Sequence, residues 1–513
     1  MFQKLKIRLA LLDKSTGISA FQTNLASGVN HHKEYNNFHY SIHKRMLFDQ
    51  ESKVIFFIIL ISQLFFQNGF YLFLSVLTIF LIFYFLQQPL KPEVFTLIAA
   101  NHFLQIIAVI WEANSLGKDI NFRSPFMSEA VVASLIGLLV MFIPIIYFQN
   151  KLPSLSWTKL KSEAEKFSID KTFNCYLVSF FATNFLSSIA FAFGGYTQII
   201  LSLVKIKWIF FLLFGYQSLL KNEKRKLFYF FILFEFITGF YSFFSEFKTV
   251  IYFVFILLLG LVEVINLKKV IYGGILAALL GLFALFWTGV KGQYRFFLNE
   301  GSKQQVASVS QDEALKKLYD LSTNVDQESL NSSTYQLLDR LQYVYNFAKT
   351  IERVPSVISF QEGQNWLDNI EFVTTPRILN PNKATLDPTE KAKKYTGIAY
   401  SGARVGASFS LGYFAECYID FGFMGMMIPL ALIGLIYGLT YWYLMKNASR
   451  NFIFNYSVVG AFFLEFFAFE MDGTILIGRF LATLLTFFLL IKFFFPWVVT
   501  YISIPPKKAP SNT

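Results

Sequence analysis

Cysteine is nearly absent: two residues in 513, Cys175 and Cys417, each in or beside an apolar run, which excludes a disulfide framework and a thiolate metal site. Histidine is almost as scarce. His31, His32, His39 and His43 fall within the first fifty residues, a solvated basic tail, and His102 lies in an apolar run beside Asn101. No cluster has metal-ligand spacing, so no metal is expected. There is no Walker motif and no G-x-G-x-x-G, so no nucleotide and no other cofactor is expected. The polar, basic N-terminus has no short apolar core or small-residue cleavage site and reads as a retained cytoplasmic leader, 1–53. Charged residues make up only 15% of the chain, against 55% hydrophobic residues that include 64 Phe. A soluble protein of this length could not bury that much apolar surface, so the composition predicts an all-α polytopic integral membrane protein.

Crossing a hydrocarbon core of about 30 Å takes about 20 apolar residues. On that basis about twelve transmembrane helices are expected, at 54–67, 70–88, 95–111, 130–148, 172–192, 197–220, 227–244, 249–265, 270–290, 412–445, 452–470 and 474–498. The first two, separated by Gln67-Asn68-Gly69, read equally as a tight hairpin or as one span with a re-entrant piece. With the N-terminus inside, the inner segments hold 24 Lys and Arg, while the short outer loops hold only Lys118, Arg123 and Lys248. That asymmetry predicts both termini, including the tail 499–513, in the cytoplasm. It also assigns much of the +12 net charge to topology, leaving no reason to expect nucleic acid.

Between the nine-helix bundle of 54–290 and the three-helix bundle of 409–498 lies one large polar segment, 291–408, placed outside by the same asymmetry. EALKKLYDLSTNV and STYQLLDRLQYVYNFAKTIERV carry apolar residues at helical spacing, and TPRILNPNKATLDP supplies turns, so this outer loop is expected to be folded and mostly helical. Its charge is nearly balanced, which directs attention to single cations. Arg295, Arg340, Arg377 and Arg404 are candidates for phosphate because a guanidinium fork binds it bidentately, and Lys383 joins them because it and Arg377 flank rigid prolines in PRILNPNK. Within the spans, Lys205 and Arg479 are the intramembrane polar candidates, Lys205 being expected to face the bundle interior or a water-filled cavity. Glu416 and Asp420 share a helix face at the opening of GYFAECYIDFGFMGMMIPLALIGLIYG. Gly422 and Gly425 permit a bend just below them, and Gly434 and Gly438 suit close helix packing.

The late outer loop, the turn Pro376-Arg377 with Pro381-Asn382-Lys383, and the block Glu416, Tyr418, Phe421, Gly422 and Gly425 together resemble the O-antigen polymerase family, the Wzy-type oligosaccharide repeat-unit polymerases. The turn departs from the family's pattern in reading PNKA where proline often follows the lysine, and Asp420 stands where Asn is common. The resemblance implies a GT-C-like architecture in the bacterial inner (plasma) membrane. It also implies a metal-independent glycosyltransferase that polymerises undecaprenyl-diphosphate-linked oligosaccharide into an O-antigen, capsule or exopolysaccharide, with membrane lipid, a chain-length regulator and a flippase as partners. Glu416 would then accept the acceptor's proton, with Asp420 orienting it or touching sugar, while Arg377, Lys383, Arg404, Arg295 and Arg340 hold the diphosphate. The alternatives are a transporter or flippase of lipid-linked oligosaccharide and an O-antigen ligase; that sister family uses a histidine in its late loop, and this loop has none.

Overall fold

The computed structural model of the protein describes residues 49–86, 88, 90–190, 196–241, 247–301, 308–324, 327–375, 380, 383, 386–400 and 408–505. Helices form at the apolar runs, and no strand forms among the described residues; a single antiparallel bridge joins Phe167 to Ser503. In chain order the membrane part begins with α1 (Gln50–Ser62), α2 (Gly69–Leu86), α3 (Val94–Ser115) and α4 (Met127–Asn150). A short surface helix α5 (Trp157–Glu165) leads to α6 (Ile169–Ile189), α7 (Thr197–Val204), α8 (Ile206–Lys221), α9 (Arg225–Thr238), α10 (Phe247–Leu259) and α11 (Leu267–Leu298). The polar segment folds as α12 (Gln311–Thr323), α13 (Gln327–Leu341), α14 (Tyr343–Arg353), α15 (Gln364–Thr374) and α16 (Pro388–Thr396). The chain closes with α17 (Tyr413–Gly425), α18 (Met427–Asn447), α19 (Phe452–Phe463), α20 (Gly473–Leu489) and α21 (Phe495–Ile502).

Side chains mark many of the helix starts. Ser156, Ser168, Asn266, Asn451 and Asp472 each accept an N–H from the first turn of α5, α6, α11, α19 and α20, satisfying donors that the helix itself cannot. Ser310 and Glu313 form a reciprocal capping box that opens α12.

Seven helical stretches among the described residues are long and apolar enough to cross a membrane: Gly69–Leu86, Val94–Ser115, Met127–Asn150, Thr197–Lys221, Leu267–Leu298, Met427–Asn447 and Gly473–Ile502. Phe247–Leu259 and Phe452–Phe466 are apolar but shorter. The remaining expected runs form helices that are shorter or more polar. The run 412–445 is two helices, because Gly422 turns to φ 66° and breaks α17, so the crossing itself is α18 and the acids of α17 lie ahead of it. The run 197–220 carries a one-residue turn at Lys205, which keeps right-handed helical angles (φ −66°, ψ −15°), so α7 and α8 continue as the single stretch Thr197–Lys221.

The closest seam is α4 against α18. An added Cβ at Gly434 would fall 1.9 Å from the Met141 carbonyl oxygen, so only glycine permits this approach. Along the same seam Gly438 lies against Pro144 and Phe148. The polar segment is clamped onto the bundle at the far ends of α3 and α4: Arg123 bridges the buried Glu112 and Asp339 of α13, and Gln342 also donates to Glu112 (2.8 Å).

Candidate functional site

Where the polar segment meets the bundle, four elements converge on one buried carboxylate. Glu416, in the first turn of α17, is 0% exposed. Its Oε2 accepts from Asn369 Nδ2 (2.7 Å), Asn365 Nδ2 (3.3 Å) and Lys391 Nζ (3.1 Å), and its Oε1 accepts from the backbone N–H of Gly473 (2.8 Å). Lys391 of α16 lies 3.3 Å from Asp472 Oδ2 and donates to Asn369 Oδ1 (2.8 Å); Thr474 Oγ1 donates to that same oxygen (2.7 Å). An added Cβ at Gly473 would sit 2.7 Å from Glu416 Oε2 and 2.5 Å from Asn369 Nδ2, so any larger residue would push these side chains out of their present contacts.

Two anchors set α15 across this site. Asp420 accepts the backbone N–H groups of Asn365 (3.1 Å) and Trp366 (2.9 Å), capping α15 from another helix. At the other end, the Lys383 ammonium donates to the carbonyls of Phe372 and Thr375 (2.9 Å), where a cation complements the helix dipole, and lies over the Phe372 ring. Held at both ends, α15 presents Asn365 and Asn369, one turn apart, to Glu416.

The electrostatics follow from this packing. Burial, reinforced by the Asp472 charge, pushes the Glu416 carboxyl above the ordinary carboxylate range. For Lys391 burial acts to lower the pKa, but the facing charges of Glu416 and Asp472 outweigh it and hold the ammonium above its usual value. Burial also raises Asp420, against the two N–H donors that lower it.

The cation candidates fall into three groups. Arg377 and Arg404 lie outside the described residues. Lys383 serves the end of α15. Arg295, near the end of α11, and Arg340, near the end of α13, come together with Lys248 and Lys291, the four charges lying within electrostatic reach of one another. Tyr343 senses both Arg340 and Glu470, and Glu470 lies two residues from Asp472, so the cation cluster and the carboxylate site border the same region.

Deeper in the bundle, Lys205 sits at the turn between α7 and α8, and its side chain is 12% exposed. It pairs with Glu465, which lies on the irregular stretch between α19 and α20, and bonds Thr483 (2.7 Å); Arg479 approaches the same carboxylate at 3.7 Å. Nearby, Lys207 pairs with Glu235 (3.0 Å), which also accepts from Tyr176 (2.7 Å).

Sequence reasoning misses Lys391, Asn365 and Asn369, and notices Asp472 only as a neighbour of Arg479 at the opening of the last apolar run. Only Asp472 carried a readable signal, an Asp-Gly just ahead of an apolar run, where an N-cap is expected. No group of three or more His, Cys, Asp or Glu poised for a metal occurs among the described residues.

No curated protein and no solved structure matches the chain. A family model described as "Domain of unknown function (DUF8712)" matches residues 127–491, from the start of α4 to the end of α20 and thus through both the polar segment and the Glu416 site, so the chain belongs to that family.

Proposed function

We propose that the protein is a membrane glycosyltransferase that joins undecaprenyl-diphosphate-linked repeat units into a surface polysaccharide on the outer face of the bacterial inner membrane. The observation that carries this reading is the pairing, at one end of the bundle, of a buried carboxylate whose pKa is raised with a cluster of four cations. Glycosyl transfer from a lipid diphosphate needs both. The acceptor hydroxyl gives its proton to Glu416, its oxygen bonds the anomeric carbon, and the bond from that carbon to the diphosphate breaks. The cations receive the negative charge of the departing lipid diphosphate, as preorganised dipoles and charges do where charge develops. Glu416 is sealed beneath α15 and α16, so substrate entry requires those helices to lift. Topology follows the Lys and Arg asymmetry: about twelve crossings in a GT-C-like arrangement, with both termini cytoplasmic and the 291–408 segment outside.

A second reading, a carrier of lipid-linked oligosaccharide, draws on the Lys205 charge facing Glu465 within the apolar stretch Thr197–Lys221, since charges at membrane depth mark transport pathways. Deleting the gene and running the surface glycan on a gel separates the two. A polymerase leaves single capped units without a ladder; a carrier leaves no surface glycan. Glu416→Ala and Arg377→Ala at normal protein level should reproduce the polymerase pattern, and ladders of ordinary length from both would remove these residues from the reaction.

A further inference from the structure

At the end of α3 opposite Glu112 and the polar segment, the turn between α2 and α3 is buried: Leu90 and Lys91 are 1% exposed and Glu93 is 3% exposed. The Lys91 ammonium donates to the carbonyls of Gln149 (2.9 Å) and Leu152 (2.8 Å). Glu93 has no cation within ion-pair distance among the described residues; it accepts from the Thr96 hydroxyl and, at 3.4 Å, from the Gln88 N–H. Around it close Tyr216 of α8, Tyr441 of α18 and Tyr456 of α19, all within electrostatic reach. Tyr456 donates to the Leu90 carbonyl (2.7 Å), but the Tyr216 and Tyr441 hydroxyls and both polar atoms of the neighbouring Gln149 side chain have no hydrogen-bond partner in the protein.

A carboxylate sealed from water with no cation in ion-pair contact costs several kcal/mol and is relieved by taking up a proton or a cation. We propose that Glu93 is a proton-binding site, holding a neutral carboxyl in the folded protein and exchanging its proton with the side of the membrane on which this turn lies. The unsatisfied Tyr216 and Tyr441 hydroxyls and the Gln149 amide are groups that bound water would satisfy, and such water would relay the proton. A proton fits better than a metal cation because Lys91 already supplies a positive charge to the same turn. The charged and titratable groups facing the site are Lys91 from its own turn, the three tyrosines and, beyond Tyr456, Glu163 of α5. Burial pushes the Glu93 carboxyl up to about 8, against the lowering effect of Thr96, the Gln88 N–H and Lys91.

Because the folded value lies above that of the unfolded chain, the stability this group confers is greatest at low pH and is lost as pH rises toward the folded value near 8. The test is infrared spectroscopy and thermal unfolding of the purified full-length protein in lipid nanodiscs, in buffers that run from the ordinary carboxylate range to just above that value. The expected result is a protonated-carboxyl band that disappears as the pH passes about 8 and is missing from Glu93→Gln, with an unfolding temperature that falls by several degrees over this range in the wild type and stays level in the variant. Should Glu93→Gln not accumulate, Glu93→Leu must remove the same band. The band surviving in both variants, or parallel pH profiles for wild type and variant, overturns the proposal. So does stabilisation by sodium ion at fixed pH that Glu93→Gln abolishes, which would make this a metal-cation site.

Discussion

Glu416 and Asp472 are fully buried carboxylates that share the Lys391 ammonium, so the three charges stand or fall as a unit. Removing one partner of a buried ion pair typically costs about 3–5 kcal/mol because it strands the other charge. The Lys391 side chain is about one-fifth exposed, which places Lys391→Met toward the lower end of that range, read as a lowered unfolding temperature in detergent. Asp472→Asn acts differently. It removes the negative charge that helps to raise Glu416, while Lys391 remains to favour the ionised form. A base works only when ionised, so under the proposed function the polymerisation rate should fall as pH drops through the Glu416 pKa, and Asp472→Asn should move that fall to lower pH. A pH–rate profile that Asp472→Asn leaves in place would argue against Glu416 as the base.

Helices report on a different set of contacts. At Gly434 even a methyl group collides with the Met141 carbonyl, while at Gly281 of α11 nothing lies within 4 Å of an added Cβ. Gly434→Ala should therefore destabilise the α4–α18 seam by about 1–3 kcal/mol or prevent accumulation, with Gly281→Ala close to neutral; size-exclusion traces and unfolding temperatures of the two variants compare them directly. Asp420→Ala, which uncaps α15, should cost about 0.5–2 kcal/mol and reduce activity more than stability, because it releases Asn365 and Asn369 from Glu416. These contacts were legible to different degrees. Hydropathy locates the helices, and the Gly434 and Gly438 pair announces close packing, since both signals are local. The Glu416–Asp420 spacing puts the two acids on one helix face, but nothing local says that one would meet Lys391 and the other would cap a helix from outside it. Lys391 reads as part of a solvated EKAKK run, and its partners come from α15, α17 and α20, which only the tertiary fold brings together. Lys205 announces itself in the sequence as a charge within an apolar run, but its partner Glu465 comes from a remote segment that only the tertiary fold brings to it.

At the scale of the molecule, α11 links the two sides. Its 32 residues span about 48 Å at 1.5 Å per residue, well beyond a hydrocarbon core of about 30 Å. Lys268 and Lys269 mark its start, and Lys291 and Arg295 lie about 33–41 Å further along, past the reach of a hydrocarbon core of about 30 Å and level with the polar segment. One helix thus places the cation cluster at the opposite end from Lys268 and Lys269, and on the proposed orientation that is where a lipid diphosphate in the outer leaflet presents its charge. The same geometry makes topology a direct check. In intact cells a membrane-impermeant maleimide should label Lys316→Cys, exposed on α12, and leave Lys159→Cys of α5 and Lys268→Cys unlabelled until the cells are opened; the wild type, with Cys417 buried and Cys175 half-buried, supplies the background. Labelling of Lys268→Cys from outside would invert the chain, moving the Glu416 site to the cytoplasmic face and removing the outer-leaflet lipid diphosphate as its substrate.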